Sequence, residues 1–365
     1  MIEGFSMYYN EQPGVEKMFG QNVEIRTINL NSVRERNEVD VFLQKQDLIL
    51  ERDVEYTLAM YEEDRIVGTG SISGNVLKCI AIDPEYQGGG FSNKIISLLL
   101  NEQYYRGNTH LFIFTKPKNR KLFLDLGFYE ITSVDDFVTL LENDPRGIRD
   151  FAENLKLQKY DGKVVSSIVM NCNPFTLGHR HLIETASKNS DVVHIFVVWE
   201  DRSVFPNEVR YKLIKEGVKD LKNVFVHRGK DYIISNSTFP SYFLKEKNAI
   251  VKIHTMLDVK IFGEFIAPAL GINRRYVGEE KSDPVTNEYN LTMKELLKDY
   301  DIEVVEIPRI KNDEAAISAS RVRELLKKDD FDSLKQLVPQ TTFEFLISEE
   351  AKIIIGKIKN EKNKL

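Results

Sequence analysis

Cysteine is scarce in this sequence: two in 365 residues, Cys79 and Cys172. Two thiols cannot build a disulfide framework, and neither has a partner at metal-ligand spacing, so no metal site is expected. Cys79 alternates with apolar neighbours and reads as core filler. Cys172 lies inside a motif treated below, where buried filler is preferred over a reactive thiol. No apolar run is long enough to span a bilayer and no signal peptide heads the chain, so a cytoplasmic protein without a membrane partner is expected. Positive charge is not in excess: 50 Lys and Arg stand against 56 Asp and Glu, a formal net charge of -6. That balance argues against a general nucleic-acid binder. Low-complexity tracts and short-period repeats are missing too. What is present is enough chain for two domains, each with its own core.

The stretch 171–184, NCNPFTLGHRHLIE, organises the C-terminal half. Before it, residues 164–170 form a β-branched run that reads as a buried parallel strand. After it, Leu182, Ile183 and Ala186 fall at helical spacing. Pro174 interrupts the strand, and Gly178 is expected to let backbone approach a ligand closely. Thr176 and His179 then sit where the helix begins. A helix N-terminus offers free N–H groups and partial positive charge, a natural seat for phosphate. A hydroxyl and an imidazole there can donate to a phosphate as charge builds on it. His181 is expected to face solvent, and His110, His194, His227 and His254 to be structural.

From 163 onward strands and helices alternate: strands at 192–198, 224–227, 275–277 and 303–307, helices at 208–221 and 290–299. Such alternation predicts a doubly wound parallel sheet with its ligand at the carboxyl ends of the strands. A second motif, Ile317-Ser318-Ala319-Ser320-Arg321-Val322-Arg323, follows. Ser318 or Ser320 can cap the next helix. Arg323, one turn in, can offer a planar fork to a triphosphate.

Thr176-x-Gly178-His179 resembles the (H/T)xGH signature of HIGH-type nucleotidyltransferases, and 317–323 resembles their ISxSxxR signature. The resemblance implies a Rossmann-like domain that adenylylates its substrate by in-line attack on the α-phosphate of ATP. It implies an ATP site of Asn173, Pro174, Phe175, Thr176, Gly178, His179, Gly278, Ser318, Ser320 and Arg323, with Thr176, His179 and Arg323 catalytic. A loop at 200–205 resembles one that carries a phosphate-side lysine in phosphopantetheine adenylyltransferases, and Arg202 is the nearest match. In 276–280, with Asp283 nearby, a nucleotide contact and a solvated acidic loop are both open.

The N-terminal half reads differently. Strands are expected at 23–28, 56–61, 66–72, 75–82 and 111–115, and helices at 32–44 and 119–126. The acidic turn Glu62-Glu63-Asp64 is read as solvent-facing rather than as a general base. Three glycines separate a strand from an apolar helix and suggest a backbone cradle for phosphate. Gln87-x-x-Gly90-x-Ser92, with Leu126-Gly127-Phe128 later, resembles the GNAT acetyltransferase fold, an α+β domain, over roughly residues 20–135. In that family the loop holds the pyrophosphate of coenzyme A, which implies a cradle of Gln87, Gly88, Gly89, Gly90, Phe91 and Ser92. Where the family often has a tyrosine as general acid, this chain has Phe123, which cannot donate a proton. The domain therefore looks like a CoA-type binding module.

The expected order is an N-terminal arm (1–20), a GNAT-like domain (21–142), a linker (143–162), a nucleotidyltransferase domain (163–345) and a helical tail (346–365). This unusual order resembles the citrate lyase ligase family over nearly the whole chain. The resemblance implies ATP-dependent acetylation of the prosthetic-group thiol on citrate lyase's acyl carrier subunit, through acetyl-adenylate. Acetate, ATP with Mg2+, and the citrate lyase complex are the implied partners. A small-molecule adenylyltransferase with a regulatory GNAT-like domain is the alternative. A third reading is a sensor of CoA and nucleotide that modifies nothing.

Overall fold

The computed structural model describes residues 16–18, 21–199, 203–233, 239, 242–244, 247–280, 283–312 and 315–360. Arg202 and most of the expected N-terminal arm lie outside the described residues. The chain divides into two compact units: Met1–Pro145 with Pro240–Lys247, and Arg146–Phe239 with Asn248–Leu365.

In the first unit, β1 (Glu16–Met18) pairs with β2 (Gln21–Thr27), so the end of the expected arm is a strand. Helix α1 (Val33–Lys45) follows, then β3 (Tyr56–Glu62), β4 (Arg65–Ser73) and β5 (Val76–Ile82). Next come α2 (Phe91–Tyr105), β6 (Phe112–Thr115), α3 (Arg120–Asp125), β7 (Tyr129–Val134) and β8 (Val138–Glu142). One sheet runs in the order β1-β2-β3-β4-β5-β6-β8-β7. All of its pairings are antiparallel except β5–β6, which pair at two positions only, Val76↔Phe112 and Leu77↔Ile113. Its core gathers Leu58, Ile72 and Leu77 from the sheet with Ile95 and Leu99 from α2. The acidic turn is shorter than expected. Glu62 ends β3 and accepts a hydrogen bond from the Tyr86 hydroxyl, so only Glu63 and Asp64 lie between the strands.

The second unit opens with α4 (Gly147–Lys156), followed by β9 (Val165–Met170), α5 (Leu177–Lys188), β10 (Val192–Val197), α6 (Asn207–Gly217) and β11 (Val224–Arg228). Helix α7 (Lys247–Ile261) passes through a π turn, Phe262–Ile266, into α8 (Ala267–Leu270). Then follow β12 (Arg274–Gly278), α9 (Pro284–Leu296), β13 (Glu303–Ile307), the short pair β14 (Lys311–Asn312) and β15 (Ala315–Ala316), and α10 (Ala319–Lys327). Helices α11 (Phe331–Lys335), α12 (Gln340–Leu346) and α13 (Glu349–Asn360) close the chain.

Strands β9 to β13 form a parallel sheet in the order β11-β10-β9-β12-β13. The chain winds outward one way from β9 and then restarts on its other side. The loops after β9 and β12 therefore part from each other, which opens a crevice at the carboxyl edge.

Side-chain alternation along β9 sends Ile168 and Met170 to one face, against Ile183 of α5 and Val322 of α10. Residues 143–162, read as a linker with a short polar helix, hold α4, whose Ile148, Phe151 and Leu155 are buried. Likewise Ala351, Ile354, Ile355 and Ile358 of α13 are buried in the same core as β9.

Candidate functional site

At the carboxyl end of β9 the chain turns through residues 171–175, and Thr176 becomes the N-cap of α5. The Thr176 hydroxyl accepts from the His179 amide at 3.3 Å, and His179 Nδ1 accepts from the Thr176 amide at 3.0 Å. This capping box satisfies two otherwise orphaned donors. It also settles the tautomer: with Nδ1 accepting, the proton of the neutral ring sits on Nε2. Burial pushes the imidazole down to about 4, and the Arg309 cation acts in the same direction. His179 is therefore a neutral donor at physiological pH.

The second motif is built alike. Ser318 is the N-cap of α10, its hydroxyl accepting from the Arg321 amide at 3.2 Å. The two motifs meet at Gly178, where a Cβ would stand 2.9 Å from the Ile317 carbonyl oxygen. The sequence suggested that this glycine admits a ligand; the backbone it admits is that of the other motif. Arg323 spans the same junction, donating from Nη1 to the Asn173 carbonyl and from Nη2 to the Ser320 hydroxyl at 3.2 Å.

Both helix N-termini open on one cavity of about 960 Å3. Thr176, Gly178, His179, Gly278, Ser318 and Ser320 line it, as does His181, which was expected to face solvent. Phe175 is elsewhere: it is fully buried in the core, its ring against Gly217. Asn173 holds the neighbouring loop, accepting from the Phe205 amide at 3.0 Å. Cys172 is 1% exposed, and burial raises its thiol well above the ordinary value, which makes it filler.

Several residues of this region escaped the sequence reading. Arg210, fully buried, donates to the carbonyls of Phe205 (2.9 Å), Asn171 (3.0 Å) and Val198 (2.7 Å), stapling the loops after β9 and β10 together. Glu280 is buried and paired with Arg309, so that part of the acidic loop is not solvated. On the α7 and α9 side of the cavity stand His254, Arg275, Tyr289 and Asn290. Tyr289 accepts from Arg275 Nη2 at 3.1 Å and donates to Asp258 at 2.6 Å. Burial pushes the Tyr289 phenol up. A lone arginine or tyrosine inside an ordinary strand or helix carries no local signal, so no pattern could have singled these out.

The profile of the citrate lyase ligase C-terminal domain matches residues 165–346, and that of the GNAT acetyltransferase domain matches residues 34–138. The citrate (pro-3S)-lyase ligase of Klebsiella pneumoniae is 43% identical over 316 residues, 86% of this chain and 92% of the relative. That of Escherichia coli is 40% identical over 334 residues, 90% of this chain and 95% of the relative.

The chain belongs to the citrate (pro-3S)-lyase ligase family.

Members of this ligase family are enzymes, and both units of the chain fall within the similarity. A solved acyl-CoA N-acyltransferase from Pseudomonas aeruginosa is similar over 33% of this chain and 99% of that one, with a TM-score of 0.30 and 9% identity.

In this ligase family member the first unit has its own cavity, about 590 Å3. Gln87, Gly88, Gly90, Phe91 and Ser92 line it beside Lys116, Lys118 and Phe123. Gly89 packs under the Phe91 ring, where a Cβ would stand 2.9 Å from it. Gly90, with φ of 78°, is the N-cap of α2. The far wall is Tyr242 and Phe243, from a segment far along the chain: Tyr242 follows Phe114, which it touches, by 128 residues. Tyr242 donates its hydroxyl to the Phe114 carbonyl at 2.6 Å, and its own carbonyl accepts from the Ile49 amide at 2.9 Å.

Proposed function

We propose that the chain acetylates the prosthetic-group thiol on the acyl carrier subunit of citrate lyase, consuming ATP and acetate and releasing AMP and pyrophosphate. The observation that carries this reading is the convergence of the Thr176/His179 and Ser318 helix ends on one cavity. An acetate oxygen attacks the α-phosphorus, and the bond to the bridging oxygen of the β-phosphate breaks. Pyrophosphate leaves with that electron pair. The carrier thiol then attacks the acetyl carbon, AMP departs, and the thiol proton passes to solvent.

A carboxylate is already a nucleophile, so no general base is required, and catalysis reduces to positioning and charge stabilisation. Thr176 and His179 Nε2–H serve the α-phosphate. Ser318, Ser320 and the α10 N-terminus serve the β- and γ-phosphates. Arg323 locks the two phosphate-facing turns together and places its charge there. Gly278 and the loop bearing Arg202 complete the nucleotide site, with Asn173, Pro174 and Phe175 shaping the turn that presents Thr176.

Among the described residues there is no cluster of three side chains able to hold a metal ion. The carboxylates at the cavity are already engaged, Glu280 with Arg309 and Asp283 as the N-cap of α9, which fits Mg2+ carried on the triphosphate, where it would neutralise charge on the leaving pyrophosphate. In the first unit, Gln87 to Ser92 cradle the pyrophosphate of the carrier's CoA-like arm. Residues 21–142 are assigned to this binding module and 163–345 to catalysis, in a cytoplasmic protein. Among the described residues no helix is long and apolar enough to cross a membrane.

Acetate-dependent exchange of labelled pyrophosphate into ATP tests the reading. A small-molecule adenylyltransferase would need a phosphorylated acceptor instead, and a sensor would show no exchange.

A further inference from the structure

Arg275 is the second residue of β12 and is 2% exposed, yet it lines the cavity. Its guanidinium lies over the Phe262 ring, 4.6 Å from the centroid. Nη2 donates to the Tyr289 hydroxyl at 3.1 Å. The nearest carboxylate, Asp258, stands 3.6 Å away and accepts a hydrogen bond from the Tyr289 hydroxyl at 2.6 Å. Nε and Nη1 find no hydrogen-bond partner among the described residues. Buried polar groups are nearly always paired, and a buried cation most of all. A guanidinium fixed on one side and left with two unpaired, buried donors, in a cavity wall, is arranged to receive an acceptor from a ligand.

We propose that Arg275 binds the carboxylate of the short acid that becomes the acyl group, held in place by Tyr289 and Asp258. This rests on the function proposed above and assigns its acid subsite. Two features select the ligand class. Asp258 offsets part of the guanidinium charge, which suits a singly charged carboxylate better than a multiply charged phosphate. Val277, two residues on and therefore on the same sheet face, lines the cavity with Val169 and offers an apolar wall to a short alkyl group. The oxygen held by Arg275 is a carboxylate oxygen in acetate and the carbonyl oxygen of acetyl-adenylate. The other oxygen attacks phosphorus.

The test is pyrophosphate exchange on the full chain with acetate and ATP varied separately. Arg275→Gln should raise the acetate KM roughly 10- to 100-fold, the scale of lost charge-assisted hydrogen bonds, and leave the ATP KM within about twofold. Tyr289→Phe removes one hydroxyl that holds the guanidinium and should raise the acetate KM roughly three- to tenfold. An unchanged acetate KM in folded Arg275→Gln overturns the assignment. If that variant has instead lost only transfer to the carrier thiol, the unpaired donors serve the acceptor arm and the assignment is overturned. If Arg275→Gln lacks a cooperative thermal transition, Tyr289→Phe decides, and an unchanged acetate KM there overturns the proposal. A parent protein showing no exchange with any short acid would sink the functional reading alone. The subsite is then judged by whether acetate raises the melting temperature of the parent and not of Tyr289→Phe; no rise in the parent overturns it too.

Discussion

At His179 one imidazole closes a helix and faces the cavity. Nδ1 takes the Thr176 amide at 3.0 Å, which leaves Nε2–H as the donor. His179→Ala should lower pyrophosphate exchange roughly 100- to 1,000-fold, the scale of one transition-state donor, and cost about 1 kcal/mol of stability through the broken cap. Exchange kinetics and denaturant unfolding on the same preparation separate the two effects; a near-parent rate would leave the residue with the cap alone. Because burial holds the ring down to about 4, it stays neutral through the physiological range. The rate should therefore show no limb from this residue between about pH 5.5 and 8. Gly178 had its signal in the sequence but a different physical reason. Gly178→Ala would push a methyl group against the Ile317 carbonyl, 2.9 Å from the Cβ position, and part the two motifs. Its exchange rate should fall roughly tenfold or more, since small misplacements cost rate steeply. A rate equal to the parent would mean that the α5–α10 junction adjusts without cost.

At the level of elements, the pattern of the second unit was legible because strand and helix periods alternate with short turns between them. What the pattern could not tell was which surface a polar-looking helix covers. Helix α13 carries lysines on one side and buries Ile354, Ile355 and Ile358 on the other. Ile355→Ala should cost about 2–4 kcal/mol, as for other large-to-small core changes. A loss below about 0.5 kcal/mol in urea unfolding would place it among surface substitutions instead. Helix α2 allows a sharper test of the first unit. Its N-cap Gly90 has φ of 78°, and a Cβ there meets nothing within 4 Å. Gly90→Val therefore acts through backbone strain, about 1–2 kcal/mol for a left-handed β-branched residue, and re-forms the turn. Acetate-dependent exchange should be spared while acetyl transfer to the carrier thiol falls. Labelled acetate follows that transfer, and an unchanged transfer rate would remove the loop from the carrier's binding site.

For the whole molecule the same buried imidazoles set a pH dependence of folding. His194 and His227 are buried and joined, Nδ1 to Nε2, at 2.8 Å, and burial lowers both below the ordinary 6.5. With His179 lowered too, the unfolded chain binds protons that the folded chain refuses once the pH drops below about 6.5. Stability is then full above that value and declines as the pH falls towards 4. Melting temperatures across this window should decline on acidification, and His227→Asn should decline less steeply. A flat profile in the parent would show that these rings titrate normally in the fold.

Sequence alone determined the two-part plan, the parallel sheet of the second half, both helix starts at the cavity and the glycine turn before α2. These are local matters: capping residues, glycine and side-chain periodicity act within a few residues of chain. Tertiary structure decided what depends on distant partners. It brought Gly178 against Ile317 and Arg323 to Asn173, buried Phe175 in the core, and set Tyr242 beside Phe114 in the first unit. It also placed Arg275, Tyr289 and Asp258 together from β12, α9 and α7. A strand residue does not carry in its neighbours the identity of the helices that will cover it, because those contacts form only when the whole sheet is wound.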